Sequence, residues 1–236
     1  TISVLYFCRP NAGVLRLTKT KMNVKALLKT CTNGSSELMS NISLSIVSML
    51  YNFQLIKYIG ENGIAAYGVL MYVNMIFISV FIGYATGTAP IISYHYGAKN
   101  HTEMKGLLKK SLVIIGISAI SMFVIAELSA KLLAGIFVSY DANLMAITIR
   151  AFRIYSFSFL FASIAIYGSS FFTALNDGLT SALISFLRSL FFQLAAVLIL
   201  PILLGVDGIW LSIVIAEFAA ALMTAFFIFI KKKKYQ

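Results

Sequence analysis

The stretch IAAYGVLMYVNMIFISVFIGYATGTAPIISYHYGAKN, residues 64–100, decides the architecture. No Asp, Glu, Lys or Arg interrupts it before Lys99. About 20 apolar residues in a helix cross a hydrocarbon core of roughly 30 Å, and residues 64–90 meet that length. The stretch then changes character as a membrane helix does on leaving the bilayer. Tyr94 and Tyr96 suit headgroup level, Gly97 can end the helix, and Lys99 can meet lipid phosphates. Pro90 marks a helix kink, either a hinge or the exit itself.

Five further stretches repeat the pattern, at 36–58, 110–128, 148–174, 179–204 and 208–230. None alternates with the period of two that a barrel strand needs, so the spans are helices. The connections are short and rich in breakers: GENG at 60–63, YGAKNHTEMKG at 96–106, SYDANL at 139–144, LNDG at 175–178 and GVDG at 205–208. The expected fold is therefore an all-α integral membrane protein, a six-helix bundle. Its organisation reads as a basic segment with the tail of a preceding helix at 1–33, six helices at 34–232 and a short tail at 233–236. The chain opens on TISVLYFC with no initiator Met, which reads as the end of an earlier membrane helix.

Composition agrees. Of 236 residues, 60% are hydrophobic and only 11% charged, whereas a soluble domain carries about 25% charge. The net charge of +11 does not point to nucleic acid, because the basic residues cluster between the apolar runs. With the first basic segment placed inside the cell, fourteen Lys and Arg fall inside and four (Lys57, Lys131, Arg150, Arg153) outside. That asymmetry predicts a multi-pass protein of the plasma (inner) membrane with a cytoplasmic C-terminus. Cys8 and Cys31 stand apart, with no ligand spacing around them, so neither a disulfide framework nor a metal site follows. The sequence contains no G-x-S-x-G, H-E-x-x-H or Walker loop, and no enzyme or nucleotide site is expected.

Ionisable residues inside a membrane are costly unless paired or wet, which makes each a candidate. Arg188 and Glu217 fall at similar depth on adjacent antiparallel spans and predict an intramembrane ion pair, serving either to lock the helices or in transport. Glu37, in NGSSELMSNISLS at 33–45, shares a helical stripe with Ser36, Ser40 and Ser43. It reads either as a cation- or proton-binding carboxylate facing a wet cavity, or as an interfacial partner of the preceding lysines. Asn52, Tyr67, Tyr72, Asn74 and Tyr155 could line a substrate cavity or simply hydrogen-bond across helices. His95 and His101 read as headgroup-level residues. The run YSFSFLFASIAIYGSSFF at 155–172 could form an aromatic wall for a lipophilic cation or an ordinary lipid-facing helix.

Taken from NGSSELMSNISLSIVSMLYNFQLIKYIGENGIAAYGVLMYVN through GTAPIISYHYGAKN to GIWLSIVIAEFAAALMTAFF, the chain resembles the C-terminal half of the multidrug and toxic compound extrusion (MATE) family. The most specific elements are Glu37 and the series Gly87, Ala89, Pro90, Ser93, Tyr94, Tyr96, Gly97, Ala98; FFTALND at 171–177 and Glu217 add to them. The resemblance implies one lobe of a twelve-helix, two-lobe transporter that exports lipophilic cationic drugs in exchange for protons or sodium. It implies membrane lipid, small cationic substrates and an N-terminal lobe as partners, no cofactor beyond the coupling ion, and a cation-site role for Glu37. The chain departs from the family where residues 148–174 lack any acid and where Gly34-Ser35 replaces a common Gly-Pro, so the coupling ion stays open. A lipid-linked oligosaccharide flippase of the same superfamily and a non-transporting scaffold lobe are the alternatives.

Overall fold

The structure, a computed structural model, describes residues 23–231; expectations placed on residues 1–22 and 232–236, and on the side chains of Ser36 and Glu37, lie outside the described residues. Its elements are α1 (Val24–Tyr58), α2 (Glu61–Gly97), α3 (His101–Val138), α4 (Ala142–Ser156), α5 (Ser158–Ala174), α6 (Gly178–Phe186), a π-helical segment (Leu187–Phe192) and α7 (Gln193–Ile230). The breakers identified in the sequence sit at the turns. Asn100, Asp141 and Asp177 cap the helices that follow them, each accepting from a backbone N–H of the first turn. The 96–106 connection is shorter than its sequence suggests: α2 runs through Pro90 to Gly97 without interruption, and α3 starts at His101.

Among the described residues, three helical runs are long and apolar enough to cross a membrane: α2, α3 and the 53-residue run Gly178–Ile230. The pair α4 and α5, bent by 48° around Phe157, makes a further crossing when taken as one span. The 53-residue run is not one straight rod, which would reach about 80 Å. It folds back at Gly205, whose φ of 60° and ψ of −134° belong to a region open essentially to glycine. Partners then step along both legs. Leu200 meets Gly208, Ser212 Oγ donates to the Ala196 carbonyl at 3.0 Å, Arg188 reaches Glu217, and Lys231 reaches Asp177 at 3.0 Å. The result is an antiparallel hairpin, the fifth and sixth legs of the bundle.

α1 is not among the strongly apolar runs, its first half being polar. It holds its place by packing, most extensively against α6. α5 lies at the centre, touching α2, α3, α6 and α7. Most of the aromatic run therefore turns into the core of the protein. Tyr155, Phe159, Tyr167, Phe171 and Phe172 are buried in the protein core, whereas Phe161 is half-buried and Phe157, at the bend, is exposed. Close approach is bought by small residues: Ala126, Ala130 and Ala134 form a buried stripe at four-residue spacing on α3. Between α5 and α6, hydroxyls form a ladder, with Ser169 Oγ at 3.0 Å from Ser181 Oγ and 2.9 Å from Ser185 Oγ.

The hairpin turn leaves little room for side chains. A Cβ at Gly208 would lie 2.2 Å from the Leu200 carbonyl oxygen, a backbone atom that cannot step aside. Gly205→Ala is expected to destabilise the purified protein by about 1–3 kcal/mol, and Gly208→Ala by at least as much. Gly68→Ala, at a helical position with open space around it, should not destabilise. Thermal unfolding in one detergent compares the three.

Candidate functional site: a polar cluster inside the bundle

The π-helical segment shapes the most polar part of the interior. In an α-helix, residues five apart diverge by well over a right angle at about 100° per residue. The wider i→i+5 winding of Leu187–Phe192 narrows that angle, so that Arg188 and Gln193 both face into the bundle. Arg188 Nε donates to Glu217 Oε2 at 2.8 Å, with side-chain exposures of 20% and 8%. Gln193 Oε1 accepts the Tyr51 hydroxyl of α1 at 3.1 Å. One turn on, Gln54 donates to the Val197 carbonyl at 3.2 Å.

Aromatic rings enclose this island. Tyr51 and Tyr67 stack with centroids 5.4 Å apart and planes within 11°. Tyr155 lies within electrostatic reach of both Arg188 and Glu217, and edge-on to Phe159, which itself stacks on Phe77. Five elements thus converge on one cluster: α1, α2, α4, the π-helical segment and α7. Arg188 and Glu217 satisfy each other, leaving no lone charge among them.

The five residues read as a cavity lining are not gathered together. Tyr67 and Tyr155 belong to the cluster. Asn52 and Asn74 are half-buried, and each keeps a buried side-chain carbonyl oxygen with no hydrogen-bond partner among the described residues. Tyr72 is 70% exposed on the surface of the bundle. Pro90 is exposed and lies inside α2, whose helical assignment continues past it to Gly97; Phe157 and Gly205 are further breaks. The backbone of Glu37 lies on α1. No three His, Cys, Asp or Glu side chains among the described residues gather as a metal site would require.

Three charged contacts escaped the sequence reading. Arg150 pairs with Asp207 at 2.5 Å beside a shallow pocket of about 500 Å³ near the Gly205 turn, lined also by Ala146, Ile149, Arg153 and Ile154. Lys231, one of the fourteen basic residues counted on the cytoplasmic side, folds back on Asp177 and Thr180. Glu127, an acid inside the third span, lies 2.5 Å from the buried hydroxyl of Ser156. Its sequence signal was present, a lone Glu with Lys131 one turn on, but the partner is 29 residues away.

The architecture and the paired charges in its interior define the class: a multi-pass, all-helical membrane protein, one six-helix lobe. The sequence matches the MatE family profile over residues 38–199, and the chain belongs to that family. Similar solved structures include a MATE protein in complex with MaL6 (21% identity, TM-score 0.86, covering 98% of this chain and 54% of that one). An outward-facing multidrug resistance MATE family transporter of the MOP superfamily matches at 24% identity and a TM-score of 0.82, over 93% and 51% of the two chains. A MOP superfamily transporter from Pyrococcus furiosus, whose reversed pocket polarity suggests a different function for it, matches at 22% and 0.86, over 99% and 53%. The chain thus spans about half the length of these structures. Comparison with curated proteins gave no match.

Breaking the buried pair from one side leaves a charge stranded. Arg188→Met alone is expected to cost about 3–5 kcal/mol. The double variant Arg188→Met/Glu217→Leu should recover much of that loss, so that the two single effects sum to more than the double. Thermal unfolding of all four proteins in one detergent measures the coupling.

Proposed function

We propose that this chain is the C-terminal lobe of an ion-coupled antiporter that exports lipophilic cations, working with a second, N-terminal lobe. The observation that carries the reading is membership of the MatE family together with a six-helix lobe that covers half of two-lobe relatives. Glu37 is the proposed site for the coupling proton or sodium ion. Its place on α1, at the polar opening of a helix that packs by contact more than by hydropathy, supports that role. Loading the carboxylate would change the relative stability of inward- and outward-open arrangements, and rocking of the lobes would carry substrate across. A cation and an ion competing for one carboxylate suffice for exchange.

The proposed orientation puts Lys231 and the Asp177 turn at the cytoplasmic face and the Gly205 turn outside, in the plasma membrane, following the excess of basic residues. The proposed partners are membrane lipid, small lipophilic cations and the second lobe; no cofactor and no nucleic acid are called for. A flippase would need uncompensated cations for a pyrophosphate, and the pairing of Arg188 with Glu217 speaks against it.

The test joins the chain to an N-terminal lobe from a MatE relative, in everted vesicles. Adding ethidium should collapse an imposed proton or sodium gradient, and Glu37→Gln should reduce that coupled exchange at least tenfold at equal expression. Exchange that survives Glu37→Gln would remove Glu37 from the mechanism. No exchange by the joined, folded protein would turn the reading towards a scaffold.

A further inference from the structure

The pocket beside the Gly205 turn holds more positive charge than the protein neutralises. Ala146, Ile149, Arg150, Arg153 and Ile154 follow one another along one face of α4 at three- and four-residue steps, and Asp207 of α7 completes the lining. Two guanidinium groups therefore share one carboxylate. Arg150 takes it, at 2.5 Å. Arg153 is exposed, and its side chain forms no ion pair among the described residues. Glu127 on the neighbouring α3 does not serve it either, accepting the Ser156 hydroxyl instead.

The fold fixes the depth of this spare charge. The Gly205 turn joins two apolar legs, and its opened backbone must reach the membrane surface because lipid tails offer it no partners. Asp207, two residues on, and Arg150 bonded to it stand at that level. From there α4 runs towards the bend at Phe157 and on, through α5, to the Asp177 turn at the other end of the bundle. Arg153 thus lies about 4.5 Å nearer the bilayer centre than Arg150 at 1.5 Å per residue. The headgroup layer is about 5–7 Å thick on each side, so Arg153 falls within it.

The acceptor that a bilayer supplies at this depth is the lipid phosphate, which a guanidinium holds through two parallel N–H···O bonds. The shallow pocket of about 500 Å³ adds apolar walls at Ile149 and Ile154, and Phe157, one turn beyond Arg153, is exposed. Acyl chains can lie against that surface. Because Asp207 neutralises Arg150, the pocket keeps one net positive charge, the complement of the single negative charge of a phosphodiester.

We propose that Arg153, with the apolar shelf of Ile149 and Ile154, is a binding site for the phosphodiester of a membrane lipid. The site shares no residue with Glu37 or with the Arg188–Glu217 pair, and it stands whether or not the antiporter reading does.

Native mass spectrometry of the whole chain, delipidated in detergent and titrated with dioleoylphosphatidylglycerol, tests it. Arg153→Gln should weaken retention of the lipid by about tenfold, as the loss of a charge-assisted hydrogen bond does. Lys105→Gln and Lys131→Gln, at exposed basic residues outside the pocket, should leave it near the wild-type level. Equal losses in all three variants would mean a general attraction of charge and overturn the site. The wild-type protein also decides without any variant: dioleoylglycerol, with the same chains and no phosphate, should not be retained, and retention equal to that of the phospholipid overturns the proposal. Inorganic phosphate separates the two sources of the group. Lipid that stays bound at equal phosphate concentration supports the assignment, and lipid displaced by it makes the site one for free anions and ends the lipid reading. No transport is read, so failure here is distinct from failure of the antiporter reading.

Discussion

Two opposite charges held 2.8 Å apart inside the bundle, Arg188 and Glu217, set the register on which the rest of the lobe is built. Separating them in a low-dielectric interior strands both, so the legs on either side of Gly205 cannot slide by a turn, about 5.4 Å. Gly205 and Gly208 allow the legs to meet at one end, and Lys231 on Asp177 ties the other. α1 then packs against α6 and the π-helical segment, and α5 packs between this hairpin and the other helices. The cluster of Tyr51, Tyr67, Tyr155 and Gln193 is assembled as a consequence, because each of its members comes from an element that the hairpin positions.

The interruptions of α-helical winding coincide with the polar chemistry. The π-helical segment carries Arg188, the bend at Phe157 has Ser156 and Glu127 beside it, and the Gly205 turn has Asp207 paired with Arg150. Lipid offers backbone groups no partners, so wherever helical bonds lapse, side chains must supply them or the break must reach the surface. Regular stretches of the helices carry polar contacts too, such as the ladder of Ser169, Ser181 and Ser185, but the charged contacts gather at the breaks.

Much of this was legible in the sequence. The runs of apolar residues, the Asn, Asp and Gly turn signals and the lone intramembrane charges reflect rules that act locally: helix length against bilayer thickness, capping, and the cost of burying charge. Arg188 and Glu217 could be matched by depth because adjacent antiparallel spans convert residue number into height. The polar opening of α1 was visible too, as was the resemblance carried by Glu37 and the stretch around Pro90.

The aromatic run at 155–172 shows where local reading stops. In water, an apolar face points to the core; in a membrane, core and lipid face are equally apolar, so composition cannot say which way Phe171 or Tyr72 turns. Only packing decided that α5 is central and Tyr72 exposed. The same holds for Glu127 with Ser156 and for Tyr51 with Gln193, pairs separated by 29 and 142 residues. Sequence by itself determined that this is a six-leg membrane bundle with paired charge inside, since length, hydropathy and charge are properties of each segment alone. The tertiary structure decided which face of each helix turns inward and which polar groups meet, because those depend on the helices' rotation and on breaks that no single segment specifies.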